Sequence, residues 1–171
     1  MKHFYQLFIS IVITLNGANY VEAAGALNLP VYSTSYDEQR DPFKDAVAAI
    51  KLAKQTNRNV IIEIGGNWCT WCHKMDSFLE NNPEIYQQLH SKYVLLKINV
   101  SDTNENEEFM KSLPPVLGYP HMYVSTSSGK MLLSKDTAEL LENNQYSREH
   151  WLAFINKWQV KETGEALNES D

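Results

Sequence analysis

The sequence predicts an α/β domain, a mixed β-sheet with helices packed on both faces. Three patterns predict it. Two β-branched apolar runs, at 59–64 (NVIIEI) and 93–100 (YVLLKINV), read as buried strands. Segments with helical apolar spacing precede the first run, separate the two and close the chain. A turn-forming stretch, Thr126-Ser127-Ser128-Gly129, divides two more short runs into a hairpin. Strands joined by a helix run parallel with a right-handed crossover, and a hairpin adds antiparallel neighbours, so the sheet is mixed.

Each element has its own signal. Residues 24–41 form a polar, turn-rich N-terminal extension, with a short strand expected around 31–35. Asp41-Pro42 is a helix start, an Asp cap followed by proline at the first helical position. Phe43, Ala46, Val47, Ile50 and Ala53 supply the apolar stripe of that helix, which should end near Asn57. Gly65-Gly66-Asn67 breaks the first strand, and a second helix is expected over 69–80. Pro83 opens a third helix, to His90. The polar stretch 102–112 reads as helical until Pro114-Pro115 stops it. The hairpin strands are 121–125 and 130–134. Ser147 caps a last helix whose stripe is Trp151, Phe154, Ile155 and Trp158, a core-packing pattern.

The N-terminus carries an address. Lys2 and His3 precede an apolar run of nine residues, 7–15, too short to span a bilayer. Val21-Glu22-Ala23 then offers small residues at the cleavage-determining positions, with Ala24-Gly25-Ala26 a second choice. Residues 1–23 are therefore read as a signal peptide for a periplasmic or secreted protein, with no stable membrane insertion after cleavage. The chain has 171 residues and formal net charge −6, from 15 basic and 21 acidic residues. Removing the signal leaves one domain's length, enough to bury a core. The acidic balance argues against a nucleic-acid partner. Only two cysteines are present, which excludes a disulfide-stapled scaffold and a four-cysteine zinc site.

Those two cysteines lie in Trp68-Cys69-Thr70-Trp71-Cys72-His73, where a buried strand meets a helix start. Cysteines at this spacing on a first helical turn can close a small disulfide ring. Cys69 would face the unpaired N–H groups and positive dipole end of the helix, which favour a thiolate. His73 and Lys74 add positive charge nearby. Cys72, one turn in, would be more buried. The arrangement suits an attacking thiol, Cys69, and a resolving thiol, Cys72.

The sequence here resembles the thioredoxin superfamily. Beyond the CxxC motif, Glu63 stands six residues before Cys69, where thioredoxins carry a buried Asp. Lys97 matches the lysine that neighbours that acid, and Gly118-Tyr119-Pro120 stands where the family has its cis-proline. The resemblance covers roughly residues 43–135, with a looser match of the last helix. It is similar to secreted single-domain thioredoxin-like proteins with a WCxWCH motif and to the C-terminal domain of thiol:disulfide interchange proteins. It implies a thioredoxin-like domain over 42–161 and a C-terminal tail over 162–171. It further implies thiol–disulfide oxidoreductase activity on protein substrates with no bound cofactor. An unidentified redox donor or acceptor would complete the cycle. Glu63 and Lys97 would assist proton transfer at Cys72. Pro120 would shape the substrate site, with Trp68, Trp71 and Tyr119 as its apolar rim.

Other readings stay open at this level. Thr70-Trp71 replaces the thioredoxin Gly-Pro and tunes the reduction potential, so the direction of reaction is only weakly weighted, towards reduction. Glu63 and Lys97 also fit a structural ion pair, Trp71 fits packing against the domain, and His73 fits either tuning of Cys69 or a solvated helix position. Cys69, Cys72 and His73 also match a c-type haem motif and a soft-metal donor set, and the fold can serve a non-enzymatic partner-binding role.

Overall fold

A computed structural model of the chain describes residues 32–33 and 35–160. The signal peptide, both its cleavage positions and the tail over 162–171 lie outside the described residues. Helix α1 (Pro42–Thr56) starts where Asp41 accepts the N–H groups of Phe43 and Lys44, at 3.0 and 3.2 Å. It ends at Asn57 in the left-handed conformation, φ 51°. β1 (Asn59–Gly65), α2 (Thr70–Glu80), α3 (Pro83–Lys92) and β2 (Tyr93–Asn99) follow. After them come α4 (Glu107–Met110), β3 (His121–Ser125) and β4 (Met131–Asp136). A 3-10 turn (Thr137–Leu140), the short strands β5 (Leu141–Glu142) and β6 (Gln145–Tyr146), and α5 (Arg148–Lys157) complete the described chain.

The main sheet has the order β2-β1-β3-β4. β1 and β2 are parallel, while β1 with β3 and β3 with β4 are antiparallel. The two-residue period of a strand splits the side chains into two cores. Val60, Ile62, Ile64, Val94, Leu96, Ile98 and Tyr123 pack with Ala49 and Ala53 of α1 and Phe109 of α4. Ile61, Leu95, Met122 and Val124 pack with Met75, Leu79, Ile85, Leu89, Trp151 and Ile155 of α2, α3 and α5. Helices therefore cover both faces. Glu63 and Lys97 are direct partners in the β1–β2 register and share the α2 face. Among the described residues, no helix is long and apolar enough to cross a membrane.

Four local details differ from what the sequence predicts. Tyr32 and Ser33 form no strand; Ser33 N–H makes a single bond to the Leu95 carbonyl, 3.2 Å. In α1 the stripe is only partly inward: Ala53 is fully buried, as is Ala49, and Ala46 and Ile50 pack against the core, but Phe43 is 50% and Val47 68% exposed. Small alanines, rather than the larger apolar residues, let α1 approach the sheet. The stretch 102–112 holds only one helical turn. Asn106 sits at φ 48°, its side chain donates to the Asn99 carbonyl at 2.7 Å, and the Ser101 hydroxyl accepts Asn104 N–H at 3.2 Å. Such local side-chain bonds compete with the helix. The β5–β6 hairpin was not foreseen; Asn143 and Asn144 turn it at φ 51° and 61°. The hairpin at 126–129 stands where expected, with Gly129 at φ 85°.

Candidate active site at the Cys69–Cys72 disulfide

β1 delivers the chain to the site and α2 carries it away. Between them Gly66, Asn67 and Trp68 turn the backbone, and Cys69 becomes the N-cap of α2. Its Sγ accepts the Cys72 N–H at 3.1 Å, so the sulfur sits on an open helix N-terminus. Cys69 and Cys72 are joined by a disulfide. Cys69 is 3% exposed and Cys72 fully buried. Gly65 ends β1 directly beneath. A Cβ there would stand 2.5 Å from the Tyr36 hydroxyl oxygen and 2.6 Å from Cys72 Sγ, so no larger residue fits without displacing one of them.

Below Cys72 lies a polar cluster of the buried Tyr36, Glu63 and Lys97 with the partly exposed Asp76. The Tyr36 hydroxyl donates to Glu63 Oε1. Lys97 Nζ lies 3.5 Å from the same oxygen and 2.5 Å from Asp76 Oδ1 on α2. The Lys97 ammonium also faces the Tyr36 ring, 4.9 Å from its centroid. Burial raises the Glu63 carboxyl above the usual glutamate range; Lys97 and the Tyr36 hydrogen bond oppose that rise, and Asp76 adds to it. Burial, with Glu63 close by, pushes the Tyr36 phenol far above the usual tyrosine range. Burial also pushes Tyr146 up to about 12.

Trp68, the residue before Cys69, belongs to an exposed aromatic pair. Trp68 is 54% exposed, donates from Nε1 to the Val100 carbonyl at 2.6 Å, and meets Tyr119 edge-on at 5.2 Å. The Tyr119–Pro120 peptide is cis, and the Thr137 hydroxyl donates to the Pro120 carbonyl at 2.6 Å. A cleft of about 690 Å³ runs from Trp68 and Tyr119 along Met110, Leu113 and Pro114. Trp71 is half-buried against the disulfide and Tyr36, edge-on to Tyr146 at 6.2 Å, with Lys74 Nζ 4.0 Å from its ring centre. His73 turns aside: its exposed Nε2–H donates to the Asn67 carbonyl at 2.8 Å. Among the described residues, no group of three or more His, Cys, Asp or Glu is arranged to hold a metal.

The residues picked from the sequence thus fall into a buried group (Cys69, Cys72, Glu63, Lys97), an exposed aromatic pair (Trp68, Tyr119) followed by the buried Pro120, and two flanking positions (Trp71, His73). Asp76 and Tyr36 were missed. Asp76 had a readable signal, since it stands four residues after Cys72 and so one turn along the same helix face. Tyr36 had none; its partner Glu63 is 27 residues away.

Residues 41–125 match the family model described as thioredoxin-like. This is a thioredoxin-like domain. The chain is similar to the thiol:disulfide interchange protein DsbD of Actinobacillus pleuropneumoniae, 28% identical over 102 residues, covering 60% of this chain and 17% of that protein. DsbD of Haemophilus ducreyi is 25% identical over 107 residues, covering 63% of this chain and 18% of that protein. The chain therefore spans less than a fifth of either relative. Among solved structures, the thioredoxin-like domain is similar to a disulphide isomerase from Xylella fastidiosa. That match has TM-score 0.61 and 27% identity, and covers 77% of this chain and 97% of that one. The C-terminal domain of Neisseria meningitidis DsbD in its oxidised form shares the fold, with TM-score 0.55 and 17% identity, covering 74% of this chain and all of that one.

Proposed function

We propose that the protein is a thiol–disulfide oxidoreductase acting on protein disulfides outside the cytoplasm. The carrying observation is the Cys69–Cys72 disulfide, capping α2 and packed against Tyr36, whose hydroxyl holds the buried Glu63. The family match and the names of the DsbD relatives and the Xylella isomerase support the reading. The apolar run at 7–15 and the small residues before 24 support export.

The chemistry follows from the geometry. In the dithiol form, the Cys69 thiolate attacks a substrate disulfide at the mouth of the site. One substrate sulfur leaves as a thiolate and takes a proton, and a mixed disulfide remains. Cys72 then passes its proton to Glu63 and attacks Cys69 Sγ. The second substrate sulfur leaves, and the protein holds its own disulfide. Two electrons move from protein to substrate, and an external dithiol donor must return them. Trp68, Tyr119 and Pro120 border the mouth where an extended substrate segment would lie. The net direction leans towards reduction. The lean rests on the buried Glu63–Lys97 pair, which is arranged as the resemblance to thioredoxins implies.

The test is the reduction potential, read by tryptophan fluorescence in thiol buffers, since Trp68 and Trp71 flank the cysteines. A reductase gives a value near that of thioredoxin, about −270 mV; a value near about −120 mV makes the protein an oxidant instead. The Cys72→Ser variant should lose turnover and accumulate substrate covalently bound to Cys69, visible by mass spectrometry. Unchanged turnover in Cys69→Ser would remove the oxidoreductase reading altogether.

A further inference from the structure

We infer that Tyr36, carried by the segment ahead of α1, is a positioning residue for proton transfer at Cys72: its hydroxyl orients the Glu63 carboxyl while its ring covers the buried side of the disulfide. The inference rests on the reading of Glu63 as proton acceptor.

Three observations carry it. First, Tyr36 is itself buried and packs in one small cluster with Cys69 and Cys72. Its hydroxyl and Cys72 Sγ converge on the bare backbone of Gly65, 2.5 and 2.6 Å from where a Cβ would stand. Second, the hydroxyl donates to Oε1 of Glu63, the oxygen that Lys97 also addresses. Lys97 is drawn the other way, 2.5 Å from Asp76 against 3.5 Å from Glu63, so the phenol is the closer partner of that oxygen. Third, the segment is tied to the loops that border the site. Glu38 accepts from the Thr103 hydroxyl and, through its carbonyl, from the Asn104 side chain, each at 3.0 Å, and Arg40 pairs with Asp45 on α1. Residues 35–40 are thus a strap across the site rather than a loose extension.

The groups facing Glu63 are Tyr36 on the strap, Lys97 on β2, Asp76 on α2 and Tyr146 on β6, and the Tyr36 hydroxyl that it accepts from converges with Cys72 Sγ on Gly65. Of these, the phenol is a fixed neutral donor. A donor on a carboxylate oxygen favours the ionised form. Tyr36 therefore keeps Glu63 able to accept a proton at lower pH, with Oε1 engaged and Oε2 left to receive it. When Cys72 resolves the mixed disulfide, its S–H proton passes to Glu63. The Cys69–Cys72 bond forms, the Cys69–substrate bond breaks, and the departing substrate thiolate takes up a proton.

The test is the pH–rate profile of the full-length Tyr36→Phe variant reducing a peptide disulfide in single turnover. Phenylalanine keeps the ring and deletes only the donor. The limb assigned to Glu63 should move up by about one pH unit, with about a tenfold rate loss below it and the same plateau at high pH. In a Glu63→Gln background, Tyr36→Phe should change nothing further. A profile superimposable on wild type, or an equal shift in the Glu63→Gln background, overturns the inference. One measurement needs no Tyr36 variant. In the wild-type protein the infrared carbonyl band of protonated Glu63, assigned by its loss in Glu63→Gln, should lie at a hydrogen-bonded frequency; a free-acid frequency overturns it. A wild-type protein that exchanges no peptide disulfide at any pH instead defeats the oxidoreductase reading beneath it.

Discussion

Glu63 is one methylene longer than the aspartate that the resemblance to thioredoxins implies here, and its carboxyl meets both Tyr36 and Lys97. Its raised folded pKa has a consequence for stability. Between the ordinary glutamate value, 4.5, and the higher folded value, the unfolded chain has released a proton that the folded chain still holds. Stability contributed by this residue therefore falls as pH rises through that window and is flat on either side. Glu63→Gln has no proton to lose. Its unfolding midpoint, compared with wild type in urea at a series of pH values, should improve steadily as pH rises from about 4.5; a constant difference would show that burial does not govern the carboxyl. Glu63 and Lys97 were legible through the resemblance to thioredoxins, as an acid six residues before Cys69 and a lysine on the next strand. Tyr36 was not legible. It sits in a segment without periodicity and meets its partners only through the tertiary fold, a placement that local spacing does not encode.

Elements with a cap and a stripe were legible almost to the residue. Asp41-Pro42, the run at 59–64 and Ser147 each mark an observed boundary. Elements defined by competition were not. At 102–112, side-chain bonds to the backbone outcompete helix, and at 141–146 two asparagines make a hairpin too short to show alternation. α5 shows what a legible stripe does. Trp151 is fully buried against Phe78, Phe154 and Tyr146. Its indole Nε1 finds no hydrogen-bond partner among the described residues. Trp151→Ala should cost about 3–5 kcal/mol in denaturant unfolding. Trp151→Phe should cost about half of that or less, because it keeps most of the ring contact and removes an unsatisfied donor. Equal losses in the two variants would mean that the indole N–H is bonded after all.

At the scale of the whole molecule, charge and the position of the cleft act together. The chain carries a net charge of −6. The cleft that opens beside Trp68 and Tyr119 is bordered by Asp102, Glu105 and Glu107. The one cation among the described residues that line it, Lys111, is already held by Glu107 at 3.3 Å and Glu108 at 3.1 Å. A substrate approaching the disulfide from this side therefore meets an acidic field over an apolar floor. Such a field steers encounter more than it adds binding energy, and salt screens it: the Debye length falls from about 30 Å at 0.01 M to about 3 Å at 1 M. Two peptide disulfides of equal length, one with lysines beside the cysteine and one with glutamates, should react at rates about tenfold apart at low ionic strength, the basic one faster. The two rates should converge as salt is raised. Replacing Asp102 and Glu105 with their amides should narrow the low-salt gap without changing the rate with a small uncharged disulfide. Equal low-salt rates for the two peptides would mean that substrate reaches Cys69 without passing this rim.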